Sequence, residues 1–136
     1  MHHLTAILAE ANPEDREQIA TSLRSGGFSV LQIESSGELM SAAGEREVDV
    51  ILLDLFLPES SSWKIIASLQ AQTSTCEIPV IALSPRDMLS EAGRLLNAGF
   101  CGYLRKPVSS ASLLAAIRYC LTRTAEGAEW VDLTPF

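Results

Sequence analysis

Five short apolar runs, each followed by a longer amphipathic stretch, restrict the fold of this chain more than anything else in it. The runs have the length of strands, and the stretches between them carry apolar residues at helical spacing. Leu4–Ala9 reads as a first strand. Asn12 then offers an N-cap, Pro13 suits the first helical turn, Ile19, Ala20 and Leu23 form one face, and Gly26-Gly27 stops the helix. Phe28–Ile33 is a second strand, and Ser35 or Ser36 caps a second helix that runs through Leu39, Met40 and Ala43 to about Gly44. Residues 48–53 are almost continuously apolar, the character of a strand buried on both faces of a parallel sheet. Ser60-Ser61-Ser62 precede a helix with Ile65, Ile66 and Leu69, in which Trp63 reads as packing. A fourth strand over residues 78–83 leads to a helix with Leu89, Ala92, Leu95 and Leu96, closed by Gly99. A fifth strand over 100–104 leads to a last helix, capped by Ser109 or Ser110, with Leu113, Leu114, Ile117, Cys120 and Leu121 on its face.

The pattern is five βα units. Crossovers of this length between parallel strands are right-handed, so the expected architecture is an α/β (βα)5 fold: a doubly wound, parallel five-stranded sheet. Flavodoxin-like order 2-1-3-4-5 is the best fit, and ligands then bind beyond the carboxyl ends of the strands. The domain is expected to span residues 1–124, with 125–136 a tail or the start of a linker. Glu45-Arg46-Glu47 reads as a solvated face.

Charge and composition remove several function classes. A formal net charge of −7 repels phosphate backbones and anionic lipid surfaces, so neither nucleic acid nor a membrane is an expected partner of this chain. No apolar run approaches a membrane span, and the first residues lack a signal-peptide pattern, so the expected setting is cytoplasmic. The three cysteines, Cys76, Cys101 and Cys120, are scattered, which predicts a reducing compartment and neither a disulfide frame nor a zinc site. Each then reads as a small buried hydrophobe. Both histidines sit at positions 2 and 3, which leaves the folded body without a Ser-His-Asp triad or a histidine metal site.

The chemistry must therefore come from the polar groups at the strand ends. Glu10 ends the first strand, Asp54 the third and Ser84 the fourth, and Lys106 follows the fifth. In the order 2-1-3-4-5 these ends are neighbours. Two carboxylates, a hydroxyl and an ammonium suit phosphoryl transfer to a carboxylate, with a divalent cation neutralising charge on the phosphoryl oxygens and the lysine and hydroxyl binding them.

Four segments, in order, carry a resemblance. Residues 7–13, Ile-Leu-Ala-Glu-Ala-Asn-Pro, are similar to the first strand and acidic turn of response regulator receiver domains, the CheY-like superfamily. Asp54-Leu55-Phe56-Leu57-Pro58 resembles the acceptor aspartate and its apolar-Pro sequel. Residues 78–84 resemble the strand that ends in the switch hydroxyl, and residues 98–107 resemble the fifth strand with its aromatic and Lys-Pro. The likeness covers roughly residues 4–123.

The resemblance implies roles. Asp54 would take a phosphoryl group from a histidine kinase or phosphotransfer protein. Glu10, Asp54 and the backbone carbonyl of Phe56 would hold Mg²⁺. Ser84 would turn toward the phosphate, Lys106 would pair with it, and Tyr103 would move inward, although its position fits plain packing equally well. Lys106-Pro107 would be cis. A downstream protein would read the face built from helix four, strand five and helix five, where two copies could also pair as a homodimer. Such a domain is not an enzyme beyond self-catalysed phosphotransfer and dephosphorylation.

Three departures bear on this. Ala11 stands where receivers usually carry a second acid, and its methyl cannot ligate metal, so Mg²⁺ binding should be weak; Asn12 is the available substitute. Ser62 stands where a loop glycine is usual, which predicts a different or more mobile loop. Pro85 biases Ser84 toward extended backbone and a stiffer switch. The alternative function is therefore a pseudo-receiver, a phosphorylation-independent protein-interaction module. An unrelated cofactor binder of the same fold would need a glycine-rich phosphate loop after strand one, and Ala11-Asn12-Pro13 offers none.

Overall fold

The computed structural model describes residues 4–58 and 61–123. Five parallel strands, β1 (Leu4–Ala9), β2 (Phe28–Ile33), β3 (Val50–Asp54), β4 (Val80–Ser84) and β5 (Gly102–Arg105), form one sheet in the order β2-β1-β3-β4-β5. The helices are α1 (Pro13–Ser25), α2 (Ser36–Glu45), α3 (Ser62–Ala71), α4 (Ala92–Ala98) and α5 (Ser110–Arg123), and a 3₁₀ turn, Leu89–Glu91, leads into α4. No described helix is long and apolar enough to cross a membrane.

Strand side chains alternate between two apolar layers, as a pleat requires. Ala6, Leu8, Val50, Leu52, Ile81 and Leu83 face α1 and α5. Ile7, Ala9, Ile51, Leu53, Val80 and Ala82 face α2, α3 and α4. Covering both faces is why the central strands read as unbroken apolar runs. The caps follow the sequence: Asn12 accepts the Asp15 N–H, Ser35 the Glu38 N–H, Ser61 the Trp63 N–H and Ser109 the Ser112 N–H. Gly26 ends α1 directly against Leu114 of α5, where a Cβ would clash. Gly99 closes α4 at φ +114, with Gln70 Cγ only 2.9 Å from where a Cβ would stand.

Several expectations are corrected. Three strands start two residues later than read: β3 at Val50, β4 at Val80 and β5 at Gly102. Before β3, Asp49 pairs with Thr5 through its own N–H and carboxylate. Before β4, Pro79 has no N–H to give, although its carbonyl accepts from Ile51 N at 3.0 Å. Leu89 is not on a core face; it is 57% exposed, and only Leu95 of α4 is buried.

The cysteines overturn the expectation most clearly. Cys101 and Cys120 form a disulfide, with Cα atoms 6.0 Å apart, and only Cys76 is free. Spacing along the chain could not reveal this, because packing α5 on β5 brings residues 19 apart in sequence face to face. Trp63 packs as expected, edge-on to Phe100 at 6.1 Å, and Glu45, Arg46 and Glu47 are exposed. The two histidines, Glu59-Ser60 and the tail from 124 onward lie outside the described residues.

Candidate functional site

β1 hands the chain to α1 through a turn held by Glu10 itself. Its carboxylate Oε2 accepts the Asn12 N–H at 3.0 Å, while its backbone N–H donates to Ile33 O. Arg16, one turn into α1, donates from Nη1 to the Glu10 carbonyl at 3.0 Å and pairs through Nη2 with Glu34 at 3.1 Å. The buried carboxylate of Glu10 is thereby aimed over the end of the sheet.

Asp54 is the last residue of β3 and is also buried. Its Oδ1 accepts the Phe56 N–H at 2.8 Å, which turns the chain sharply after the strand. The buried Ser62 hydroxyl donates to the Asp54 carbonyl at 2.8 Å, so the serine in the expected glycine position ties α3 to the end of β3. Ser84 ends β4 fully buried; its Oγ accepts the Arg86 N–H and its carbonyl accepts the Lys106 N–H at 2.7 Å. The Lys106-Pro107 bond is cis.

Lys106 Nζ joins these ends. It lies 2.7 Å from Glu10 Oε1, 3.3 Å from Asp15 Oδ2 and 3.6 Å from Asp54 Oδ2. Three carboxylates thus share one ammonium. Burial pushes the Glu10 carboxyl above the usual range, and the neighbouring Asp54 carboxylate adds to this, outweighing the Lys106 and Asn12 hydrogen bonds. Burial alone would lower Lys106, but the hydrogen bond to Glu10 and the charges of Asp54, Glu10 and Asp15 together hold it above its ordinary value.

All four groups predicted from the strand ends sit at one edge of the sheet, with Glu10, Asp54 and Lys106 in mutual contact range. Ala11 is partly buried against the apolar layer on the α2 side. Tyr103 lies inward, 1% exposed, with its hydroxyl donating to Asp87 Oδ1 at 3.2 Å. The sequence reading missed Asp15, Arg16 and Asp87. Asp15 and Arg16 had a signal, since they sit in the first turns of the helix that leaves Glu10. Asp87 had none, because its partner is 16 residues away across the sheet edge. Arg86 was missed as well; its guanidinium lies 5.0 Å over the ring of Phe56, which is 49% exposed.

The family model for the response regulator receiver domain matches residues 6–118. The chain belongs to the receiver domain family. Receivers are the phosphorylation-switched signalling domains of two-component systems and are not classical enzymes. This receiver is 29% identical over 123 residues to the phosphate regulon transcriptional regulatory protein PhoB of Pseudomonas aeruginosa, covering 90% of this chain and 54% of that protein. It is 32% identical over 120 residues to the transcriptional regulatory protein KdpE of Mycobacterium tuberculosis, covering 85% and 52%. The chain therefore spans about half the length of the curated relatives it matches. Among solved structures, the receiver domain of the sensor histidine kinase PA1611 of Pseudomonas aeruginosa, described with a magnesium ion coordinated in its active site cleft, superposes with a TM-score of 0.80 at 26% identity, covering 89% of this chain and 99% of that one.

Proposed function

We propose that residues 1–124 form a working receiver that accepts a phosphoryl group on Asp54 from a histidine kinase or phosphotransfer protein in the cytoplasm, and that residues 125–136 are a tail or the start of a linker. The observation that carries this reading is the contact of Lys106 Nζ with both Glu10 and Asp54 at the carboxyl edge of the sheet. A carboxylate oxygen of Asp54 attacks the phosphorus of the donor phosphohistidine; the P–N bond breaks as the P–O bond forms, and the imidazole leaves and takes up a proton. Lys106 is already beside Asp54 and balances the incoming charge, and the Ser84 hydroxyl, at the neighbouring strand end, hydrogen-bonds a phosphoryl oxygen. Movement there passes to a protein-interaction face of α4, β5 and α5 through Tyr103, and a homodimer would form on that face.

The donor set fits a weakly held Mg²⁺. Glu10, Asp54 and the Phe56 carbonyl are hard oxygen donors of the type the ion prefers. Ala11 supplies none, and among the described residues no three acidic, histidine or cysteine side chains are gathered to hold a metal, so water must fill much of the shell. When bound, the ion supplies positive charge to the phosphoryl oxygens.

Ala11 and the crowding of Lys106 by three carboxylates favour a second reading, the pseudo-receiver, in which the fold persists as an interaction module. Intact mass after incubation with Mg²⁺ and acetyl phosphate separates the two. A phosphoryl increment on wild type that is absent from Asp54→Asn supports the working receiver. An unmodified wild type, in a preparation whose circular dichroism is folded, sinks it.

A further inference from the structure

The disulfide between Cys101 and Cys120 takes no part in the phosphoryl site, yet it crosses the part of the molecule that connects that site to α5. Cys101 immediately precedes β5, and its N–H donates to Val80 O at 2.9 Å, which fixes it to the central sheet. Cys120 lies in the third turn of α5, fully buried. The bridge therefore ties the last described helix to the sheet. The loop it closes contains Tyr103 and Lys106.

Both sulfurs also belong to the apolar layer formed with Leu104, Val108, Leu113, Ala116 and Ile117. Reduced cysteine behaves as a small hydrophobe, so the thiol form also suits this apolar layer once the sulfurs part to contact distance. A chain of this size buries an ample apolar core without a covalent staple, so size alone does not require the bridge for folding. Two states of similar packing, differing in one covalent tie, are the requirement for a switch. The Cα separation of 6.0 Å lies in the range that admits a bridge without backbone movement. Access is unequal: Cys101 is 5% exposed and Cys120 not at all, so Cys101 is the sulfur at which exchange begins.

We propose that Cys101 and Cys120 are a reversible dithiol–disulfide pair whose oxidation pins α5 to β5 and whose reduction frees the helix to move. Oxidation by a small-molecule disulfide is balanced within the pair. The thiolate of Cys101 attacks the small disulfide and releases one thiol, and Cys120 then displaces the second. Two S–H bonds are lost, one S–S bond forms between the cysteines, and the two electrons and two protons leave on two small thiols. Reduction by a dithiol reverses each step.

The full chain carrying Cys76→Ser, so that this pair holds the only cysteines, tests the proposal. The protein is equilibrated with oxidised or reduced glutathione, quenched in acid, denatured and alkylated with N-ethylmaleimide, and its intact mass is read. The expected result is no label after oxidised glutathione and two labels after reduced glutathione. Amide exchange followed by mass spectrometry should be at least tenfold slower in α5 of the oxidised form. Cys101→Ala/Cys120→Ala should exchange at the reduced rate in both buffers, which guards against a fold defect in a single variant. Two labels after oxidised glutathione, a stable glutathione adduct in place of the bridge, or equal α5 exchange in the two states would each overturn the proposal. No readout uses Asp54 or phosphate, so failure of the phosphoryl reading would leave this one standing.

Discussion

Lys106 and Glu10, 96 positions apart in sequence, form a 2.7 Å ion pair from which water is almost excluded. The pair is not electrically balanced, because Asp15 and Asp54 compete for the same ammonium. Buried charge in excess of its partners opposes folding, and the arrangement persists because the apolar layers on both faces of the sheet outweigh it. Burying one leucine side chain fully contributes about 2 kcal/mol, and the sheet buries many.

The Glu10 carboxyl gives the first expectation. Its folded value lies above the unfolded one, so the native state binds its proton more readily. This group therefore disfavours folding at neutral pH, and the penalty falls as pH drops through the raised value. Glu10→Gln should unfold at a higher urea concentration than wild type at pH 7. The gap between the two midpoints should close on acidification. A variant less stable than wild type at pH 7, or a gap that widens as pH falls, would contradict the balance of charges described above.

Ala11→Asp restores an acid beside Glu10. With one more carboxylate beside Glu10, Asp15 and Asp54, Mg²⁺ affinity measured by calorimetry should rise about tenfold, in line with the dependence of affinity on ligand charge. Without the ion, the same variant should lose stability, because it adds negative charge where Lys106 is already shared. An unchanged affinity would show that Ala11 does not limit binding.

Ser62 replaces the expected loop glycine with a specific hydrogen bond. Ser62→Ala removes the 2.8 Å donor to the Asp54 carbonyl and leaves the longer bond from the Leu57 N–H at 3.3 Å. The cost in urea unfolding should be about 1 kcal/mol. A neutral substitution would mean that the hydroxyl does not tie α3 to β3.

Tyr103 and Asp87 should be energetically coupled. Tyr103→Phe and Asp87→Ala each break the 3.2 Å bond that holds the buried phenol to the loop after β4. A double-mutant cycle in urea should return a coupling of about 1 kcal/mol. Full additivity would show that this hydrogen bond does not hold the inward ring.

What the sequence determined by itself was everything that depends on local periodicity and on strand order. Apolar runs at Ala6–Ala9, Val50–Leu53 and Val80–Leu83 can only be buried between two helical layers, and the caps at Asn12, Ser35 and Ser109 follow from the chemistry of helix ends. That Glu10, Asp54, Ser84 and Lys106 share an edge followed from the order 2-1-3-4-5, since each closes or follows a strand. Strand starts at Val50 and Val80 were less legible, because Asp49 and Pro79 alter backbone pairing without changing the apolar pattern. Tertiary structure alone decided which groups touch. Asp15 reaches Lys106, Asp87 meets Tyr103, and Cys101 meets Cys120 only because helices dock on the sheet at particular angles and depths. Side-chain meetings of that kind depend on packing between elements, and one-dimensional spacing does not record them.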